Sequence, residues 1–115
     1  MEFNCLLMNK RLIDYVQKIE AGSEEILSSE SSSKNTTDGT GSNINTTTVI
    51  YKFKDGVSIE YEREHDDGSP YPGCQTFFYT YRVINTNNFI FDGETTEVFS
   101  SKSEIGTWLD KANNS

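Results

Sequence analysis

The sequence predicts an α+β fold: a small antiparallel β-meander of three to five strands, with an N-terminal helix and a short C-terminal helix packed on one face. Two observations indicate this class. Apolar and polar residues alternate through the middle of the chain, as they do in half-buried strands. Both ends carry apolar residues at helical spacing, which is typical of amphipathic helices. With 115 residues, the chain has the length of one domain.

The N-terminal helix is predicted over residues 9–21. Its apolar positions recur at helical spacing and are Leu12, Tyr15, Val16 and Ile19. Gly22 suits the left-handed residue that often follows a helix. The apolar stripe of such a helix must be buried. We expect it to pack on the sheet, and the rival surface is a second copy of the chain.

A polar segment follows over residues 28–48, in which Ile44 is the only large apolar side chain. Such a segment buries too little apolar surface to offset the entropy that it loses on ordering. We therefore expect a disordered linker there. It separates an N-terminal helical segment, residues 1–27, from a sheet with its C-terminal helix, residues 49–115, and the two flanking parts form one domain.

The next two strands are joined around an Asp-Gly pair, which is a hairpin signal. A two-residue turn would set Phe53 opposite Ser58, an apolar residue against a polar one. A three-residue loop over residues 54–56 pairs Phe53 with Val57 instead, and Gly56 then stands where this loop needs a left-handed glycine. The same register gives two further apolar pairs, Tyr51 with Ile59 and Val49 with Tyr61. We expect this loop because it brings the apolar side chains onto one face.

The remaining strands are predicted from shorter patterns. Residues 75–84 carry apolar side chains on both faces, as a central or covered strand does. Residues 89–91 and 95–99 read as two short strands separated by another Asp-Gly pair. The meander therefore ends with one well-marked strand and two short ones.

The C-terminal helix is predicted from about residue 102 to residue 112. Ser101 and Glu104 have the spacing of a capping box, in which each satisfies a backbone amide at the start of a helix. Apolar residues then recur at helical spacing, with Trp108 as the expected core anchor. Gly106 weakens this helix by about 1 kcal/mol relative to alanine.

The chain is acidic, with a net charge of −8 at pH 7. An acidic surface repels phosphate groups, so we expect neither nucleic acid nor an anionic membrane as a partner. No apolar run approaches the roughly 18 residues of a membrane-spanning helix. The short apolar run from Cys5 to Met8 lacks the length and basic flank of a secretory signal. The expected location is the cytoplasm.

Residues that carry chemistry are scarce. The two cysteines, Cys5 and Cys74, lack metal-type spacing, and His65 is the only histidine. The sequence has no nucleophile motif and no phosphate-binding glycine loop. We therefore expect no catalytic, metal or cofactor site and no enzymatic activity. A metal protein or enzyme that uses His65 is the weakest of three hypotheses.

The leading hypothesis is a small binding protein that neutralises a basic protein partner, such as a toxin or a nuclease. Alternating residues of a strand share a face, so the three glutamates of residues 60–64 lie together. The expected protein-binding residues are Glu60, Glu62, Glu64, Asp66, Asp67 and Tyr71. The size, acidity and lack of chemistry are analogous to those of immunity proteins and antitoxins. The alternative is a structural or assembly module that forms a homodimer.

Overall fold

The computed structural model describes residues 9–37, 39, 41–68, 73 and 75–113, without the side chains of residues 112 and 113. It is an α+β fold, as predicted: a five-stranded antiparallel meander in the order β1-β2-β3-β4-β5, with a helix before it and a helix after it. The elements are α1 (Leu12–Ala21), β1 (Ile26–Thr37), β2 (Asn43–Phe53), β3 (Ser58–Asp66), β4 (Thr76–Asn85), β5 (Thr96–Phe99) and α2 (Lys102–Asn113). Cys5, Tyr71 and Cys74 lie outside the described residues.

Residues 28–37 and 43–48 are strands and not the disordered linker predicted over residues 28–48. These residues form most of β1 and the first half of β2, which pair with each other from Ile26–Phe53 to Thr37–Asn43. Eleven of the twelve β1 residues are exposed, so apolar burial does not hold this strand. Its order comes from ladder hydrogen bonds, and from the β preference of the threonines at its end and in β2. An argument from burial alone overlooks both contributions.

The β2–β3 hairpin has the predicted three-residue loop and register. The amide of Phe53 donates to the carbonyl of Val57 at 2.9 Å, and the amide of Gly56 donates to the carbonyl of Phe53 at 2.9 Å. Tyr51 faces Ile59 and Val49 faces Tyr61. Gly56 has a φ of +92°, in the left-handed region that the loop requires.

The loop is also tied to the first helix. The hydroxyl of Tyr15 in α1 donates to Oδ2 of Asp55 at 2.5 Å, while Oδ1 of Asp55 accepts from the amide of Val57 at 2.9 Å. The Nζ of Lys10 lies 3.8 Å from Oδ2 of the same carboxylate. Asp55 therefore fixes the turn and docks α1 against it.

One of the two short strands predicted after β4 is present. Residues 96–99 form β5, but residues 89–91 do not form a strand. They run beside the segment before α1 instead, where the amide of Lys10 donates to the carbonyl of Ile90 at 2.8 Å. The amide of Asp92 donates to the carbonyl of Lys10, also at 2.8 Å. The backbone groups that a strand would use are thus satisfied by the segment before α1.

Both helices pack on the same face of the sheet, which we call the inner face. The stripe of α1 is buried there, and Phe99 of β5 contacts Trp108 of α2 with ring centroids 5.2 Å apart. The buried core consists of Leu12, Tyr15, Val16, Phe53, Val57, Ile59, Tyr79, Tyr81, Phe99 and Ile105. Burial of the α1 stripe within its own chain means that this stripe is not a surface for a second copy.

The end of α1 matches its sequence signal, and the start of α2 makes the Ser101 half of the predicted capping box. Gly22 follows α1 with a φ of +66°. At the start of α2, the amide of Glu104 donates to Oγ of Ser101 at 3.2 Å, as the predicted capping box requires. The carboxylate of Glu104 turns to Ser100, accepting from its amide at 2.9 Å and from its hydroxyl at 2.8 Å. In the described residues, neither helix has the length and hydropathy needed to cross a bilayer.

Candidate functional site

The face of the sheet that points away from both helices, which we call the outer face, carries the three predicted glutamates. They occupy alternate positions of β3, the middle strand. Across the ladder, Glu60 faces Ile50 and Arg82, and Glu62 faces Thr48 and Thr80. Glu64 faces Thr46 and Phe78 in the same way. The predicted column of carboxylates is therefore present on the middle strand of a face that neither described helix covers.

Basic residues share this face. Arg82 of β4 donates to the carboxylate of Glu60 and forms an ion pair with it. The register also places Lys34 of β1 and Lys52 of β2 on the outer face. The face holds five carboxylates and three basic side chains in all, from Glu30, Lys34, Lys52, Glu60, Glu62, Glu64, Asp66 and Arg82. Its negative charge is concentrated on β3 around Glu62 and Glu64, which have no ion pair among the described residues.

Two exposed apolar side chains share the outer face with the glutamate column. Phe78 of β4 is 45% exposed, and Val98 of β5 is 58% exposed. Phe78 faces Glu64 across the β3–β4 ladder, whereas Val98 faces Thr80 across the β4–β5 ladder, and Thr80 lies between it and Glu62. An apolar strip beside charged groups is the arrangement of many protein interfaces, in which the apolar part is desolvated and the charges orient the partner.

The two predicted aspartates have local structural partners. Oδ1 of Asp66 accepts from the amide of Gly68 at 2.9 Å. The carboxylate of Asp67 accepts from the backbone amide and the side-chain amide of Asn43, both at 3.1 Å, and the Asp67 amide donates to the Asn43 carbonyl at 3.0 Å. Asp67 therefore clamps the start of β2 to the end of β3. The remaining predicted contact, Tyr71, lies outside the described residues.

His65, the residue of the third hypothesis, lies on the inner face near the end of β3, opposite Asn45 of β2 and Phe77 of β4. Its ring stacks on that of Phe77, with centroids 4.3 Å apart and an angle of 6° between the planes. Its Nε2 lies 3.0 Å from Oε1 of Gln75. In the part of the chain that the structure describes, no three His, Cys, Asp or Glu side chains converge to hold a metal ion.

A cleft that was not predicted from the sequence lies between the helices on the inner face. Its floor is made by three tyrosines on adjacent strands, Tyr51 of β2, Tyr61 of β3 and Tyr81 of β4, and its walls include Glu20 of α1 with Ile105 and Leu109 of α2. We call this the tyrosine cleft, and its volume is about 360 Å³. The loop argument already placed Tyr51 and Tyr61 on one face. The positions of Tyr81 and of α2 were needed to recognise a cleft.

Glu20 is the one carboxylate among the described residues that line the tyrosine cleft. The hydroxyl of Tyr81 donates to Oε2 of Glu20 at 2.9 Å. Burial raises the pKa of Tyr51, Tyr61 and Tyr81, and the nearby Glu20 carboxylate raises each pKa further. All three hydroxyls therefore stay protonated at neutral pH, and the cleft presents neutral aromatic rings beside a carboxylate.

No protein-family model, curated protein sequence or solved structure matches the chain. Two surfaces of the molecule are therefore the candidates for a functional site. These are the outer face, with its glutamate column, and the tyrosine cleft on the opposite side of the sheet.

Proposed function

We propose that this chain is a small acidic binding protein that neutralises a basic protein partner without catalysis, in the manner of an immunity protein or an antitoxin. The observation that carries the proposal is the position of Glu62 and Glu64. They stand on the middle strand of a sheet face that neither helix covers. A basic toxin or nuclease of the cytoplasm is the class of partner that such a surface fits.

The two parts of the outer face have different roles in this proposal. Glu62 and Glu64 attract Lys or Arg side chains of the partner, which raises the association rate and selects the orientation. Glu60 contributes less because Arg82 already neutralises it. Phe78 and Val98 supply the apolar contact area that is removed from water when the complex forms. In this proposal Glu62 and Glu64 attract the partner, and Phe78 and Val98 hold it by apolar contact.

A second candidate, a homodimeric assembly module, now depends on a different surface. The stripe of α1 is buried in its own chain, but β1 is an edge strand of twelve residues, and eleven of them are exposed. A long open edge can pair with the same strand of a second copy. Sedimentation at several concentrations tests this candidate, because a dimer appears as concentration rises and a strict monomer excludes it.

The experiment for the binding proposal compares three baits in an extract of the natural source. They are the wild-type chain, the double variant Glu62→Lys/Glu64→Lys, and the double variant Glu24→Lys/Glu94→Lys. The third bait changes the net charge equally, at exposed residues away from the outer face. Each bait is loaded at low salt and eluted at high salt, and the retained proteins are identified by mass spectrometry.

The proposal predicts a basic protein that the wild type and the charge-matched control retain and that the outer-face variant does not. Release at high salt is expected because screening weakens exposed charge pairs. Identical proteins on all three baits would show that only net charge matters, and would contradict the proposal. A wild-type bait that retains no basic protein would contradict it as well.

A further inference from the structure

We infer that the tyrosine cleft is a binding site for an organic cation, the ammonium or guanidinium group of a lysine or arginine side chain presented by a basic polypeptide. The inference does not depend on the proposed function, because the cleft and the outer face lie on opposite sides of the sheet. Its carrying observation is geometric. Tyr51, Tyr61 and Tyr81 come from three adjacent strands and line one concave space with the carboxylate of Glu20.

The rings provide the first attraction for a cation. The face of an aromatic ring carries partial negative charge, so a cation close to it is stabilised, most strongly where water is excluded. The rings of Tyr61 and Tyr81 lie 4.9 Å apart at their centroids and are tilted by 40°. Tyr81 is only 2% exposed, whereas Tyr51 and Tyr61 are partly exposed. A ligand can therefore contact the rings of Tyr51 and Tyr61, while the ring of Tyr81 is buried behind them in the lining.

The charges around the cleft provide the second attraction. Glu20 lies in the last turn of α1, and the carbonyl end of a helix is itself the negative end of its dipole. A neighbouring cavity shares Glu20, Gly106 and Leu109 with the cleft and is also lined by Asp110 of α2. Among the described residues that line the cleft, Lys102 is the one basic side chain. The lining itself holds one charge of each sign, and Arg63 of β3 lies near Tyr61, so the attraction for a cation comes from the Glu20 carboxylate at the end of α1 and from the rings rather than from a net negative charge.

The hydrogen-bonding groups select the same ligand. The Tyr81 hydroxyl donates its hydrogen bond to Glu20, so this pair can accept hydrogen bonds from a ligand but has no donor left for it. Lysine and arginine side chains are donors without acceptors, which matches such a site. An anion would be repelled by Glu20, and a purely apolar group would desolvate the carboxylate without supplying a positive charge to balance it. The alkyl stem of either side chain fits along Ile105 and Leu109, which form the apolar wall.

Three blocked amino acids test the inference in an NMR titration of the full chain. Nα-acetyl-lysine methylamide and Nα-acetyl-arginine methylamide carry the two cations. Nα-acetyl-norleucine methylamide has a stem of similar length without the charge. We expect saturable shifts of the Tyr51 and Tyr61 ring signals and of the Gly106 amide with at least one cationic probe. Equal shifts with norleucine, or none with either cation, would overturn the inference.

The stronger cationic probe is then titrated into two cleft variants. Glu20→Gln removes the charge but keeps an acceptor for Tyr81, and we expect affinity to fall about tenfold. Gly106→Leu plugs the cleft from the α2 wall. A Cβ at Gly106 meets no atom within 4 Å, and leucine favours a helix more than glycine does, so this variant folds and fails to bind.

Glu24→Gln is the matched control, because it removes a carboxylate four residues after Glu20 and outside the cleft lining. It should bind the probe as the wild type does. A folded Gly106→Leu variant that binds at wild-type affinity would contradict the inference. An equal loss in Glu20→Gln and Glu24→Gln would contradict it too, because it would show a response to net charge. Neither result bears on the outer face.

Discussion

The hydroxyl of Tyr81 in β4 donates a 2.9 Å hydrogen bond to Oε2 of Glu20 in the last turn of α1. The contact joins residues 61 positions apart in the chain. A similar contact joins Tyr15 to Asp55 at the β2–β3 loop. Each places a tyrosine hydroxyl, largely removed from water, beside a carboxylate, and together they fix both ends of α1 to the sheet.

These two contacts predict a loss of stability in alkali. Burial is the main cause that raises the pKa of Tyr15 and Tyr81, and the hydrogen bond to a carboxylate raises it further. A raised pKa in the folded state means that the stabilisation is complete below the unfolded pKa of about 10 and is lost as pH rises above it. We expect urea midpoints to fall in this alkaline range. Tyr15→Phe should flatten the fall, and an unchanged slope would contradict the assignment.

The β2–β3 loop predicts different costs for two glycine substitutions. Gly56 and Gly93 both have left-handed backbones, but only at Gly56 would a Cβ collide with a neighbour, the side-chain amide of Asn87. That amide donates to the Asp55 carbonyl at 2.7 Å, so displacing it costs a hydrogen bond as well. We expect Gly93→Ala to cost about 1 kcal/mol and Gly56→Ala about 2 kcal/mol or more in unfolding free energy. If denaturant titrations gave the two variants the same loss of unfolding free energy, the predicted collision with Asn87 would be refuted.

The cap of α2 predicts a further loss of stability in acid. The hydrogen bonds from Ser100 lower the pKa of Glu104 below its ordinary value. The stabilisation is therefore complete above the unfolded pKa of a glutamate and is lost as pH falls through the lower, folded pKa. Glu104→Gln should remove this part of the acid dependence, as measured by thermal unfolding across the acid range. Ser101→Ala, which removes the other half of the cap, should cost about 1 kcal/mol at neutral pH.

The register of the central hairpin could be predicted from sequence because one choice of loop aligns the apolar residues and the other does not. Phe53 opposite Val57 satisfies both the pattern and the glycine position, so two independent signals agree. The same reasoning placed Glu60, Glu62 and Glu64 on one face. It could not show that Arg82 pairs with Glu60, because that contact depends on the register of β4, which follows a long loop without a diagnostic turn.

The first strand could not be predicted because its own side chains bury almost no apolar surface. β1 exposes nearly all of them, and its neighbour β2 supplies the ladder that orders it. The side-chain contacts near the β1–β2 turn are polar, and they form only when β1 and β2 are paired. Asn45 donates to Asn35 at 2.8 Å, and Thr37 contacts Asn43 at 3.3 Å. The tyrosine cleft was missed for a related reason, because it forms only when α2 folds back over the sheet.

This correction has a direct test in amide hydrogen exchange. Amides of β1 and β2 that lie in the ladder should exchange much more slowly than the amide of Gly93, which serves as the loop reference. β2 should be the better protected strand because it has neighbours on both sides, whereas β1 is an edge. If the amides of residues 28–48 exchanged as fast as the Gly93 amide, the result would support the original prediction of a disordered linker.

The account as a whole depends on the outer face, and the salt dependence of association tests it most directly. Stopped-flow kinetics with the captured basic partner compare the wild type, Glu62→Lys/Glu64→Lys and the control Glu24→Lys/Glu94→Lys over a range of ionic strength. We expect the outer-face variant to associate about tenfold more slowly at low salt, with a flatter salt dependence, and the control to stay within about threefold of the wild type. Equal rates and slopes for the two double variants would contradict the central claim.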